Sequence, residues 1–131
     1  MGTTMRFGSE SGNPASKPIK AKLWKNSDPS QSFAAQTVTL SNSLRNYDFL
    51  WITYFFSSST QTMDSRLYLV SDLLDEGYTA GLRVSASSNN RVGGRTLTTP
   101  TDATVDFGSA TYNGNTNNSY VIPAAVYGIK L

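Results

Sequence analysis

The run Phe49-Leu50-Trp51-Ile52-Thr53-Tyr54-Phe55-Phe56 is the strongest constraint on the fold. Successive strand side chains point to opposite faces, so a half-solvated strand alternates apolar and polar residues. Here both faces are apolar, and the run is strand-sized, well short of a membrane span. Such a strand belongs in the middle of a sheet, or against a second layer or a second subunit. The last residues carry a similar message, because β-formers run from Tyr120 through Val126, Tyr127 and Ile129 to Leu131. Terminal residues stay loose unless tied down, so this stretch is expected to pair into a sheet. Pro123 cannot donate to a ladder and belongs at an edge or a bulge.

The rest of the chain repeats the pattern in shorter units. β-type runs at 20–24, 34–40, 49–57, 66–70, 79–86, 91–97, 103–107 and 120–131 are separated by turn-rich segments. That rhythm predicts an all-β sandwich or barrel. Asn26-Ser27-Asp28-Pro29 has Asx side chains and a fixed proline φ for a turn. Gly93-Gly94 and Asn113-Gly114 both suit tight hairpins, which need positive φ at successive positions. The segment 72–77, Asp-Leu-Leu-Asp-Glu-Gly, is the one place where a helical turn is expected, ended by Gly77. Ala34, Gln36, Val38 and Leu40 share one side of their strand, with Gln36 the polar interruption near a sheet end. The expectation is an antiparallel, jelly-roll-like β-sandwich over residues 19–131. Residues 1–18, rich in Gly, Ser, Thr, Asn and Pro, read as a flexible arm or linker.

Composition narrows the chemistry. The chain of 131 residues has no cysteine and no histidine. Disulfides, thiolate or imidazole metal sites and histidine-based triads therefore have no residues to build them. No metal site and no cofactor is expected. Charged residues make up 15 % and the net charge is +2, which argues against a nucleic-acid partner, and no apolar run suits membrane insertion. The lysines cluster at Lys17, Lys20, Lys22 and Lys25. They read as an edge strand guarded against mispairing, or as contacts to an acidic partner surface. Asp72, Asp75 and Glu76 read as a solvated turn, with a hard cation as the alternative. No carboxylate pair or serine tract announces a catalytic residue, so none is assigned and the chain reads as non-enzymatic.

The segment Tyr112-Asn113-Gly114-Asn115-Thr116-Asn117-Asn118-Ser119-Tyr120 is the most suggestive binding element. Amide side chains beside an aromatic ring can hydrogen-bond sugar hydroxyls while the ring covers a C–H face. Tyr112, Asn113, Asn115 and Asn117 are therefore the candidate glycan-binding residues. The competing reading is an ordinary Asn-Gly hairpin.

Leu23, Trp24, Asn26, Pro29, Phe33, Gln36, Val38 and Leu40 fall in an order that resembles a module of phage and prophage virion proteins. Asn46-Tyr47-Asp48 before the aromatic strand is similar to that module's next element, and 118–130 to its closing strand. The middle, 57–115, matches loosely, and Ala124-Ala125 departs from a more polar or aromatic pair. The resemblance implies a C-terminal β-sandwich of tail, baseplate or head-fibre appendages. It implies a homotrimer on the particle surface, bound to other virion proteins and facing a host cell-surface glycan. The alternatives are a carbohydrate-binding module, a capsid decoration or head-fibre protein, and a small polysaccharide hydrolase.

Overall fold

The computed structural model describes residues 17–86 and 88–131. The arm expected at residues 1–18 lies outside the described residues as far as 16, and Lys17 and Pro18 carry no regular structure. Two antiparallel sheets face each other. The first is built from β1 (Ile19–Lys25), β9 (Tyr120–Lys130), β3 (Phe49–Ser57) and β4 (Met63–Leu69), in that spatial order. The second holds β2 (Gln36–Thr39), β7 (Thr104–Tyr112), β6 (Arg91–Thr101) and β5 (Ala80–Ala86), with β8 (Asn115–Thr116) beside β7. The fold is an all-β sandwich. Its first and last strands pair, as do β2 and β7, which gives the outer wrap of a jelly roll. The inner strands depart from that wrap, since β3–β4 and β5–β6 are hairpins within a sheet.

The doubly apolar run is a central strand, between β9 and β4. Its Leu50, Ile52 and Tyr54 are fully buried against Leu82, Leu97, Val105 and Phe107 of the second sheet. Each such side chain contributes about 1.5–3 kcal/mol by leaving water. The C-terminal strand is central too, pairing with β1 on one side and β3 on the other. β9 tolerates Pro123 through a bulge. Thr53 pairs with Ala125 but Tyr54 with Pro123, leaving Ala124 as the extra residue. β1 ends at this point, so no ladder bond is asked of the proline on that side. Instead Asn26 closes the gap, its backbone N–H donating to the Ala124 carbonyl and its Nδ2 to the Pro123 carbonyl, both at 2.8 Å.

The lysines behave as the edge reading expects: β1 is an edge strand, and Lys20, Lys22 and Lys25 are exposed. Gln36 opens β2, with Val38 and Leu40 buried behind it. The helical turn forms slightly early, as α1 (Val70–Leu74), and Gly77 follows with φ +71°. A 3-10 turn, Leu44–Asn46, precedes β3.

One expected hairpin is absent. Gly93 and Gly94 lie inside β6, paired with Val84 and Arg83 on one side and Tyr112 and Thr111 on the other. The glycine at 93 is needed for close approach: a Cβ there would stand 3.0 Å from Val84, Tyr112 and the Thr111 carbonyl. Sequence alone reads such a pair as a turn, whereas neighbouring strands on both sides impose an extended backbone.

Candidate functional site

The Asn-Gly hairpin forms as its residues predict. Asn113 at φ +52° and Gly114 at φ +83° make a two-residue turn between Tyr112 and Asn115, which pair. This places Asn113 and Asn115 in solvent, with Asn117 exposed beyond β8. The ring that was to cover a sugar face points elsewhere. Tyr112 is only 9 % exposed, stacked on Tyr120 with centroids 3.7 Å apart and set edge-on to Phe56. Its strand parity is that of Ala110, an inward position, so the sandwich takes the ring and leaves the amides without a platform. Asn117 Oδ1 is engaged locally, accepting from the Ser119 N–H at 3.1 Å. Of the four candidates, Asn113, Asn115 and Asn117 are therefore exposed at the hairpin end, while Tyr112 is buried at its base.

Behind this end lies a group that sequence reading passed over. Arg95 shares the inward parity of Gly93 and Leu97 on β6 and is 2 % exposed. Its guanidinium donates to the carbonyls of Gly108 at 2.7 Å, Val121 at 2.8 Å and Tyr120 at 3.2 Å. It also lies 5.2 Å above the Phe33 ring, which packs edge-on against Trp24 and Phe107. Burial pushes its pKa down to about 10, so it remains charged at neutral pH. Val121 holds φ +51°, a strained conformation for a β-branched residue. Two of the three acceptors, Tyr120 and Val121, flank that strained peptide. Trp24, Asn26 and Phe33 thus serve the closing strand, fixing its bulge and enclosing its buried cation. The signal for Arg95 was its parity, overlooked because arginine is so seldom buried.

The outer face of the first sheet is unusually apolar. By register, Phe49, Trp51 and Thr53 of β3 share it with Ile129, Tyr127 and Ala125 of β9 and with Leu69, Leu67 and Ser65 of β4. Leu67 is 56 % and Leu69 46 % exposed, and Met63 at the start of β4 is 63 % exposed. Trp51 and Tyr127 pack together at 5.5 Å, and Lys20 Nζ sits 4.9 Å from both ring centroids. The exposed apolar side chains of this face, Met63, Leu67 and Leu69, thus run along β4 at the sheet edge.

On the open side, β4 and β5 are the edges of their sheets and leave a cleft of about 400 Å³. Phe56, Val84 and Val92 line it with Arg66, Arg83 and Asp64. Two phenols tie the sheets together here. Tyr54 donates to the Arg83 carbonyl at 2.8 Å, and Tyr68 donates to the Gly81 carbonyl. Hydrogen bonding to the Tyr54 side chain raises the Arg66 pKa above its ordinary value, while burial raises that of Tyr68.

The acidic segment is divided between tasks. Asp75 pairs with Arg45 at 2.6 Å, both half-exposed, and Asp72 sits in the first turn of α1. Among the described residues no group of three or more Asp, Glu, His or Cys side chains is placed to hold a metal. Also among these residues, no helix is long and apolar enough to cross a membrane. No protein-family model matches the chain, and no curated protein matches it.

Proposed function

We propose that this chain is a non-enzymatic appendage domain of a phage particle, exposed on its surface, associated with other virion proteins and engaged in attachment to the host. The observation that carries the proposal is the order of Leu23, Trp24, Asn26, Pro29, Phe33, Gln36, Val38 and Leu40, which resembles a virion module, on a chain that folds as a β-sandwich. Most of these positions have structural work: Leu23, Asn26, Phe33, Val38 and Leu40 are buried. A motif spent on the core leaves recognition to the surfaces around it.

The apolar outer face supports a homotrimer, with a second copy of this chain as its occupant. Lys20, Lys22 and Lys25 line the β1 edge of this sheet, and β4, with exposed Leu67 and Leu69, forms its other edge. A head-to-tail ring brings one edge of each copy against the other edge of its neighbour, around an apolar centre.

Antibody raised against the purified chain tests the particle reading. Gold-labelled antibody is expected on the surface of intact particles; labelling confined to free protein in the lysate overturns it.

A further inference from the structure

Between the end of β1 and the start of β2 the connecting loop borders a hollow of about 350 Å³. We propose that this hollow binds a neutral saccharide, with the Trp24 indole and the Gln36 amide as its two fixed contacts. This deepens the attachment reading, which supplies the origin of the ligand, whereas the chemistry comes from the hollow.

Register brings the two contacts together from different sheets. Gln36 stands opposite Phe107 in the β2–β7 ladder, so the two share one face of the second sheet, and Phe107 is buried inside the sandwich. Trp24 arrives from the first sheet and packs on that same ring, with centroids 5.9 Å apart. Gln36 therefore has inward parity and is exposed because β2 begins there, at the hollow that Trp24 also lines. Its amide is held in place, since Nε2 donates to the Ala34 carbonyl at 3.0 Å. That bond leaves one N–H and Oε1 for a ligand. Trp24 is half-buried. Among the described residues its indole N–H finds no acceptor, and only the Thr99 hydroxyl is both unpartnered and sealed from water. The indole N–H thus opens to solvent, an apolar ring with a polar edge.

The loop beside the hollow is already ordered. Asn26 Oδ1 accepts from the Asp28 N–H at 3.0 Å, and Asp28 Oδ1 accepts from the Ser30 N–H at 3.1 Å. The Phe33 N–H then donates to the Asn118 carbonyl at 2.9 Å, which fixes the far end. A preordered site loses less freedom on binding. The volume falls within the range of small-ligand sites, and the charged lining residues, Lys25 and Asp28, sum to zero. That balance suits an uncharged ligand. A sugar ring offers C–H faces to an indole and hydroxyls to an amide, whereas a wholly apolar ligand would leave the Gln36 amide unpaired. The amides of the Asn113-Gly114 hairpin have no such platform, because Tyr112 is buried.

Calorimetric titration of the full chain tests the site, with maltotriose and chitotriose as neutral probes and trigalacturonic acid as the charged one. At least one neutral trisaccharide is expected to bind with a Kd below about 10 mM, and more tightly than the acid. In a Trp51→Phe background Trp24 is the sole tryptophan, and its emission should shift with the same midpoint. Gln36→Ala should weaken binding by about tenfold with an unchanged melting curve, and Trp24→Phe should weaken it at least as much. Asn115→Ala should bind as the wild type does. No binding of either neutral probe at about 10 mM, equal or tighter binding of the acid, binding without a change in Trp24 emission, or dependence on Asn115 in place of Gln36 would each overturn the proposal. A chain that labels particles but ignores both neutral probes loses this inference alone; one that binds them but is absent from particles loses only the attachment reading.

Discussion

Replacing Arg95 by Met sets against each other the two effects that meet at the buried guanidinium. Burial disfavours the charge, lowering the pKa from the ordinary arginine range to about 10. At about 1.4 kcal/mol per pKa unit, that is a penalty on the order of 3 kcal/mol. Opposing it are three hydrogen bonds from a charged donor, to Gly108, Val121 and Tyr120. Each such bond contributes about 1.5–3 kcal/mol, so three supply roughly 4.5–9 kcal/mol. Methionine occupies a similar volume, removes penalty and bonds together, and leaves three carbonyls without their donor. The net expected destabilisation is about 3 kcal/mol, a large share of the 5–15 kcal/mol typical of a domain. Urea unfolding followed by tryptophan fluorescence reports it, since Trp24 packs beside Phe33 and Phe107. With slopes of about 1–3 kcal/mol per molar urea, the midpoint falls by about 1–3 M.

Two companion measurements sharpen that test. Arg95→Lys keeps a buried charge but has no planar fork to span three carbonyls, so it should be no more stable than Arg95→Met. The folded-state pKa lies below the unfolded one, so the unfolded chain holds more protons only from about pH 10 up to the ordinary arginine pKa. Arg95 therefore gives the wild type added stability only as pH rises through that window, and the difference from Arg95→Met should be flat from about pH 5 to 9. If Arg95→Met matched or exceeded the wild type, the burial penalty would outweigh the bonds and the reasoning would be refuted.

Removing residues 128–131 takes Gly128 and Ile129 from pairings with β1 on one side and β3 on the other; the expected result is loss of cooperative melting by circular dichroism, and a native-like melt would contradict it. Leu67→Asp with Leu69→Asp puts charge on the apolar outer face without touching the core. Sedimentation equilibrium should give three times the chain mass for the wild type and the single-chain mass for the variant, whereas a wild-type monomer at micromolar concentration excludes the trimer.

Much of the fold was legible because it depends on local pattern. The doubly apolar 49–57 run marked a central strand, the lysine cluster an edge, Pro123 a bulge, and Asn113-Gly114 a tight turn. The misreading at Gly93-Gly94 came from a requirement imposed by neighbours: a strand needs glycine there because Val84 and Tyr112 come too close for a side chain. The surfaces were harder to read for the same reason. The cleft joins edges of two different sheets, residues 62–66 with 83–85 and Val92, so no contiguous motif announces it. Tyr112 looked like an exposed platform in a polar loop, but its inward parity on β7 buries it. Arg95 was hidden by its own type, since three backbone carbonyls rather than an acidic residue hold it.

The central claim is that this sandwich stands on the outside of a phage particle and meets the host there. Immunogold labelling of intact particles, combined with adsorption in the presence of excess purified chain, tests it most directly. The account predicts gold at the particle surface and adsorption slowed in proportion to added chain. Unlabelled particles, with adsorption indifferent to the chain, would contradict it.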